Sequence, residues 1–131
     1  MLGIVNLEPG LGHLSEELIA PLVAGIHVQA GCGIGLQIPP LAEAVGLRGH
    51  VTGLDILPEF VEEAKRNIAK WGLGEQVSVV EGDIFSPPFQ ERRFDWIWSA
   101  SCACYAMQRP LQLLAGFRRI LKPGGLLLIV I

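Results

Sequence analysis

The sequence predicts an α/β protein, a three-layer αβα sandwich built around a mostly parallel sheet. Apolar, strand-like runs alternate with amphipathic, helix-like segments, and this alternation implies parallel strands joined by right-handed crossovers. Half of the 131 residues are hydrophobic and mean hydropathy is +0.44, as expected for strands that helices bury on both faces. No apolar run approaches the ~20 residues of a membrane-spanning helix, so we expect one domain and no membrane contact.

Charge and cysteine content argue against several classes of protein. The net charge is −3 and the basic residues are scattered, so we expect no nucleic-acid partner. Cys32, Cys102 and Cys104 are odd in number and do not form a disulfide framework. Cys102 and Cys104 are too close for the usual zinc pair, and we expect no metal. Because the amino terminus lacks the regions of a signal peptide, we expect a cytoplasmic protein.

Residues 1–24 are expected to lie outside the regular core, as an irregular arm and a short helix. Pro9 and Gly10 interrupt any period at the start of the arm. Ser15 is a typical helix cap, and the acidic residues after it favour the positive end of a helix dipole. The predicted core then covers residues 25–131.

Five apolar runs of that core are predicted to be strands. Each run is short, rich in Val, Ile, Leu or Trp, and bounded by residues that favour turns. The predicted strands are Ile26–Ala30, His50–Asp55, Val77–Glu81, 94–98 and 126–131.

Prolines mark the helices between these strands, because a residue without an N–H group fits only the first turn of a helix. They predict helices at 37–45, at 58–71 and at 110–121. Apolar spacing then predicts the buried side of the last two helices. Its members are Phe60, Val61, Ala64, Ile68 and Trp71, followed by Leu111, Leu114, Phe117, Ile120 and Leu121.

A glycine loop follows the first strand and organises the predicted site. Gly31, Gly33 and Gly35 are spaced two apart, and glycine lets the backbone adopt positive φ and approach a ligand closely. A strand, a glycine loop and a helix present free N–H groups and a positive dipole end at one point. Asp55 ends the next strand, 20 residues past Gly35, a spacing at which an acid binds ribose hydroxyls. The two features together predict a nucleoside site.

Two further segments follow the ends of strands. Asp83 comes after the third strand, and Ser99, Ala100 and Ser101 come after the fourth. Ligands of open parallel sheets bind beyond the carboxyl ends of the strands, so all these segments are predicted to meet at one rim.

The glycine spacing differs from that of dinucleotide-binding dehydrogenases, since Leu36 stands where their third glycine belongs. From about residue 28 to 131, the chain resembles the class I, Rossmann-like S-adenosylmethionine-dependent methyltransferases. The resemblance rests on the glycine loop together with Asp55, Glu81-Gly82-Asp83 and Lys122-Pro123-Gly124-Gly125.

The resemblance implies the strand order 3-2-1-4-5, S-adenosylmethionine as the cofactor and S-adenosylhomocysteine as its product. Gly31, Cys32, Gly33 and Gly35 would contact the methionine part of the cofactor. Asp55 would accept from the ribose hydroxyls, with Ile56 against the adenine. Asp83 would accept from the adenine amino group, with Ile84 on the face of the base. Ser99, Ala100 and Ser101 would close on the methionine end.

Each of these assignments has a structural alternative. Asp55 would also serve as an acid at a helix start, and Asp83 as a turn former. The three glycines would also serve tight packing alone. If the rim bound no ligand, all of these structural alternatives would have to hold at the same rim.

Gln29 departs from the family pattern, which has an acid two residues before Gly31. Gln29 keeps a hydrogen-bond acceptor but lacks the negative charge. We therefore expect weaker cofactor binding, or an acid such as Glu8 or Glu16 in its place.

The family's last two strands also have no counterpart in the sequence. Residues 126–131 would then form an exposed, uncharged sheet edge, of the kind that pairs with other chains. We expect a fragment of a longer protein or, alternatively, self-association through this fifth strand.

The implied reaction is methyl transfer to a small-molecule acceptor by in-line displacement, which needs no covalent nucleophile on the enzyme. His13 and Tyr105 are the candidate catalytic residues, although the first would also suit a surface and the second a packed position. Two alternative functions remain: a non-catalytic or partner-dependent S-adenosylmethionine-binding module, and an aminopropyltransferase.

Overall fold

The computed structural model describes residues 4–5, 26–100 and 109–130 of the chain. Its strands are β1 (Ile4–Val5), β2 (Ile26–Ala30), β3 (His50–Asp55), β4 (Val77–Glu81), β5 (Phe94–Ala100) and β6 (Leu121–Val130). Its helices are α1 (Ile38–Val45), α2 (Pro58–Lys70) and α3 (Pro110–Ile120). No helix within the described ranges is long and apolar enough to cross a membrane.

The described strands form one parallel sheet in the order β1-β6-β5-β2-β3-β4. Without β1, this is the predicted order 3-2-1-4-5, which is confirmed. β2 lies between β3 and β5, so the direction of the crossovers reverses beside it. The carboxyl ends of β2, β3 and β5 therefore meet at the switch point where ligands of such sheets bind.

The core consists of two apolar layers, one on each face of the sheet. Residues of α1 and α2 pack with Trp96, Trp98 and Leu128 in one layer. Residues of α3 pack with Phe94, Ile97 and Leu127 in the other. Phe94 and Trp96, although two residues apart, join opposite layers because the pairing register of β5 with β6 shifts between them.

The predicted turn at 122–125 lies inside β6 and not before it. Leu121 pairs with Phe94 and Leu126 pairs with Trp96, so four residues of β6 bulge out opposite one residue of β5. Gly124 has a φ of 80°, a conformation that glycine adopts without strain. The fifth predicted strand therefore begins five residues earlier than its apolar run.

The amino-terminal segment corrects two expectations. Ile4 and Val5, predicted to belong to an irregular arm, form a strand that pairs with Leu127 and Leu128. The edge of β6, expected to be exposed, is therefore paired at these two positions. This pairing does not test whether the chain self-associates through β6, so self-association stays a prediction.

The helices also correct the predicted buried positions. In α2, Val61, Ala64 and Ile68 are buried, but Phe60 and Trp71 are 42% and 37% exposed. The first lies in the first turn of the helix, beyond the end of β3, and the second follows the last turn. In α3, Leu113 is buried with Phe117 and Ile120, whereas Leu111 is 83% exposed.

Candidate functional site

The glycine loop folds back over the end of β3. Gly31, Gly33 and Gly35 have φ values of 73°, 56° and 89°, the region that an L side chain disfavours. The backbone N–H groups of Gly31 and Cys32 donate to the carbonyl oxygen of Leu54 across 2.7 and 2.9 Å. The loop is thus tied to the neighbouring strand before α1 begins.

Asp55 connects this loop to the start of α2. It is only 9% exposed, and its Oδ2 accepts a hydrogen bond from the Gly33 N–H across 2.9 Å. Its Oδ1 accepts one from the Leu57 N–H across 3.0 Å, next to the first turn of α2. Each carboxylate oxygen accepts about two hydrogen bonds, so Asp55 keeps acceptor capacity for ligand hydroxyls. The acid therefore orders a helix start, as the structural alternative expects, and also meets the loop.

Asp83 forms a turn beside Asp55. Its Oδ1 accepts from the Phe85 N–H across 2.9 Å, and its backbone carbonyl accepts from the Ser86 N–H across 3.0 Å. The N–H of Gly82 donates to the Asp55 carbonyl across 2.9 Å, which places the ends of β3 and β4 side by side. One carboxylate oxygen of Asp83 thus forms a turn, as the structural alternative expects. The second oxygen makes no hydrogen bond within the described residues.

Apolar side chains stand exposed beside these two acids. Ile56, Leu57 and Phe60 are 59%, 44% and 42% exposed, and they follow directly on the end of β3. Ile84, next to Asp83, is partly buried against the core layer that contains α3. Neighbouring apolar side chains left open to solvent are typical of a binding surface, here one suited to a flat apolar group such as a nucleobase.

Gln29 takes part in a buried hydrogen-bond bridge. Its side chain is 2% exposed, and its Nε2 donates to Oε1 of Gln37 across 3.0 Å. The indole Nε1 of Trp98 donates to the same oxygen across 3.2 Å. The remaining acceptor, Oε1 of Gln29, is buried and has no hydrogen-bond partner among the described residues. Ser99, next to Trp98, is also buried and pairs in register with Ala30 at the end of β2.

Sequence reasoning missed Gln37 and Trp98. Gln37 is a polar residue two positions before a pair of prolines, which indicated only a helix start. Trp98 lies opposite Gln29 in the register of β2 and β5, and 61 residues separate it from Gln37. The contact therefore becomes visible only when the strand order is known.

Several predicted site residues lie outside the described residues. They are Ser101, Tyr105 and His13, together with the side chain of Ala100, whose backbone ends β5. The other predicted site residues lie in the glycine loop or directly at the carboxyl ends of β2, β3, β4 and β5.

A separate groove lies away from this rim. It measures about 950 Å³ and lies between α3 and the bulge of β6. Leu111, Arg118 and Lys122 are among the residues that line it. None of its lining residues is one of the predicted site residues.

The rim fits a nucleoside ligand in both shape and chemistry. A Cβ added to Gly33 would meet no atom of the described residues within 4 Å, so the loop faces open space there. Asp55 has acceptor capacity for a diol, and the exposed apolar residues after it suit a base. The unpartnered oxygen of Gln29 calls for a hydrogen-bond donor at the other end of the loop.

Comparison with known proteins identifies one family. The model of the family described as "methyltransferase domain" matches residues 28–129. An aklanonic acid methyltransferase from a Streptomyces species is 31% identical over 124 residues, which cover 95% of this chain and 55% of that protein. A demethylmenaquinone methyltransferase of Staphylococcus epidermidis is 34% identical over 95 residues, covering 72% of this chain and 38% of that protein.

Solved structures agree with the family match. A SAM-dependent methyltransferase from Aquifex aeolicus superposes with a TM-score of 0.73 at 26% identity, over 82% of this chain and 58% of that one. The chain thus spans about half of the length of these proteins, or less.

Proposed function

Because the chain belongs to the methyltransferase domain family, we propose that it binds S-adenosylmethionine at the rim and transfers its methyl group to a small-molecule acceptor. One observation carries the proposal: the hydrogen bond between Gly33 and Asp55. It joins the glycine loop to the acid at the end of β3, the two features that a nucleoside with a charged tail requires on neighbouring strands.

The proposed contacts follow from the described geometry. Asp55 accepts from the ribose hydroxyls, and Ile56 packs on the adenine. Asp83 uses its second oxygen for the adenine amino group, with Ile84 beneath the base. The loop residues Gly31, Cys32, Gly33 and Gly35 hold the methionine part, together with Gln29 and with Ser99, Ala100 and Ser101.

The cofactor supplies a methyl group that its sulfonium already activates for in-line displacement. The residues of this chain therefore bind, orient and exclude water, and none has to attack the methyl group. The loop N–H groups and the Asp55 carboxylate are held by hydrogen bonds within the protein. This ordering lowers the entropic cost of placing the cofactor beside an acceptor.

The proposed acceptor is a small molecule, as in the named relatives that act on aklanonic acid and demethylmenaquinone. Tyr105 and His13 remain the candidates for contact with it. The proposed location is the cytoplasm, since an odd number of cysteines does not suit a disulfide-stabilised protein.

A second candidate function is a binding module that holds the cofactor without turnover. Gln29 favours it, because an uncharged amide stands where the family resemblance places an acid. Production of S-adenosylhomocysteine separates the two candidates, since only the enzyme forms it.

Equilibrium dialysis with labelled S-adenosylmethionine tests the ligand class. We expect saturable binding that S-adenosylhomocysteine displaces and that NAD does not. Displacement by NAD alone would point to a dinucleotide site and contradict the proposal. Incubation of the bound complex with aklanonic acid and with a demethylated quinol then tests turnover, read as S-adenosylhomocysteine formed.

A further inference from the structure

We infer that Gln37 is a positioning residue of the cofactor site, which holds the amide of Gln29 so that its oxygen is available to the ligand. The inference rests on the proposed function and adds to it a residue outside the glycine loop. Its starting point is the bridge Gln29–Gln37–Trp98, which spans β2, β5 and the residue before α1.

The chemistry of the bridge leaves only one orientation for both amides. An indole N–H donates and never accepts, so the atom of Gln37 that faces Trp98 is its oxygen. That oxygen also faces Gln29, which must therefore present its NH₂ group. The orientation of Gln29 follows from Trp98 through Gln37, and Oε1 of Gln29 becomes the acceptor left over.

That leftover oxygen lies at the base of the glycine loop. Gln29 is the next-to-last residue of β2 and is 2% exposed, so bulk water does not freely solvate its amide. Its Oε1 has no hydrogen-bond partner in the part of the chain that the structure describes. Buried carbonyl oxygens nearly always have a donor, and the amino group of the bound cofactor would supply it here.

The bridge also closes the loop. Gln29 and Gln37 flank the loop and lie eight residues apart, so their hydrogen bond ties its entry to its exit. Trp98 is 3% exposed and pairs in register with Gln29, which anchors the bridge to the centre of the sheet. Loss of the Gln37 oxygen would release the Gln29 amide and the Trp98 indole, while the core layers on each face would keep their apolar contacts.

The test compares three variants. Gln37→Leu removes the acceptor, and Gln37→Glu keeps an oxygen that accepts from both partners. Gln76→Leu is the matched control, because Gln76 also makes a side-chain hydrogen bond, to the Gly46 carbonyl at the opposite end of α1. Affinity for S-adenosylhomocysteine is measured by calorimetry. The indole N–H signal of Trp98, assigned with Trp98→Phe, is measured by NMR without ligand.

We expect Gln37→Leu to bind about tenfold more weakly, as for the loss of one hydrogen bond. Gln37→Glu should bind within about threefold of the unsubstituted chain, and Gln76→Leu should bind equally well. The Trp98 indole signal should move upfield in Gln37→Leu alone. Unchanged affinity in Gln37→Leu, or an unmoved indole signal, would overturn the inference while the proposed function stands. Absence of binding to the unsubstituted chain would overturn the proposed function and this inference with it.

Discussion

The backbone N–H of Gly33, in the loop after β2, donates across 2.9 Å to Oδ2 of Asp55, the last residue of the neighbouring strand β3. The same carboxylate accepts from the Leu57 N–H, so a single side chain orders both the glycine loop and the start of α2. The proposed cofactor site is therefore pre-formed by hydrogen bonds within the protein. Ligand binding would use the acceptor capacity that remains on the carboxylate.

Gly33→Ala should weaken cofactor binding and also lower stability moderately. Gly33 has a φ of 56°, and a Cβ there would project into the open space next to the loop. The strained backbone should lower the free energy of unfolding by about 1–2 kcal/mol. Since the new methyl group would occupy the proposed ligand space, we expect the affinity for S-adenosylhomocysteine to fall at least about tenfold.

Gly46→Ala is the matched control for that variant. Gly46 has a φ of 71°, and a Cβ there also meets no atom within 4 Å, but the residue ends α1 far from the glycine loop. It should lose similar stability in urea unfolding and keep its full affinity. Equal losses of affinity in both variants would show that backbone strain, and not the position in the loop, causes the effect.

Gly53→Ala should destabilise the fold because the added methyl group would clash with Cys32 of the glycine loop. A Cβ at Gly53 would lie 2.9 Å from Sγ of Cys32 and 3.2 Å from its Cβ. Such overpacking costs about 1–3 kcal/mol. Removing the sulfur relieves the closest contact, so the Cys32→Ala, Gly53→Ala double variant should be more stable than the sum of the single effects predicts.

A double-mutant cycle in urea measures that coupling. We expect a favourable interaction of about 0.5 kcal/mol or more. Strict additivity of the two single changes would mean that Gly53 and Cys32 do not press on each other, and it would contradict the described packing of β3 against the loop.

Much of the sheet could be predicted because its signals are local. Ile26–Ala30, His50–Asp55 and Val77–Glu81 agree with the structure residue for residue, since each apolar run is bounded by turn residues. The acids and glycines at their ends could be placed at one rim because parallel strands share the direction of their carboxyl ends.

The features that could not be predicted depend on contacts distant in sequence. Ile4 and Val5 form a strand only because Leu127 and Leu128 lie next to them. The bridge from Gln37 to Trp98 requires β5 to lie beside β2. Phe60 matches the apolar spacing of α2 but lies exposed at the rim, where a bound base would cover it under the proposed function.

His50 should make stability depend on pH in the slightly acidic range. Its Nε2 lies 2.9 Å from Oγ of Ser78, and burial lowers the pKa of His50 from its usual 6.5, with a further lowering by the positive charge of Arg93. The unfolded chain therefore binds a proton more readily than the folded one. The contribution of neutral His50 to the free energy of unfolding is therefore complete above pH 6.5. It is lost as the pH falls from 6.5 through the lowered pKa that His50 has in the folded chain.

Urea unfolding of the unsubstituted chain and His50→Gln over this range checks the sign. The free energy of unfolding should fall more steeply below pH 6.5 in the unsubstituted chain than in the variant. Arg93→Gln should reduce the slope, because it removes the smaller of the two causes. Parallel profiles for all three proteins would contradict the lowered pKa.

The most direct test of the proposed site is calorimetric titration of the chain with S-adenosylmethionine and S-adenosylhomocysteine, beside Asp55→Ala and Asp95→Asn. Asp95 pairs with Lys122 at 3.3 Å at the other end of the sheet and serves as the control carboxylate. We expect micromolar binding that Asp55→Ala weakens by about 100-fold or more, since the carboxylate's hydrogen bonds to Gly33 and Leu57 and the acceptor for the ligand are lost together. Asp95→Asn should bind normally. Equal affinity in the unsubstituted chain and Asp55→Ala, or no binding by either, would contradict the account.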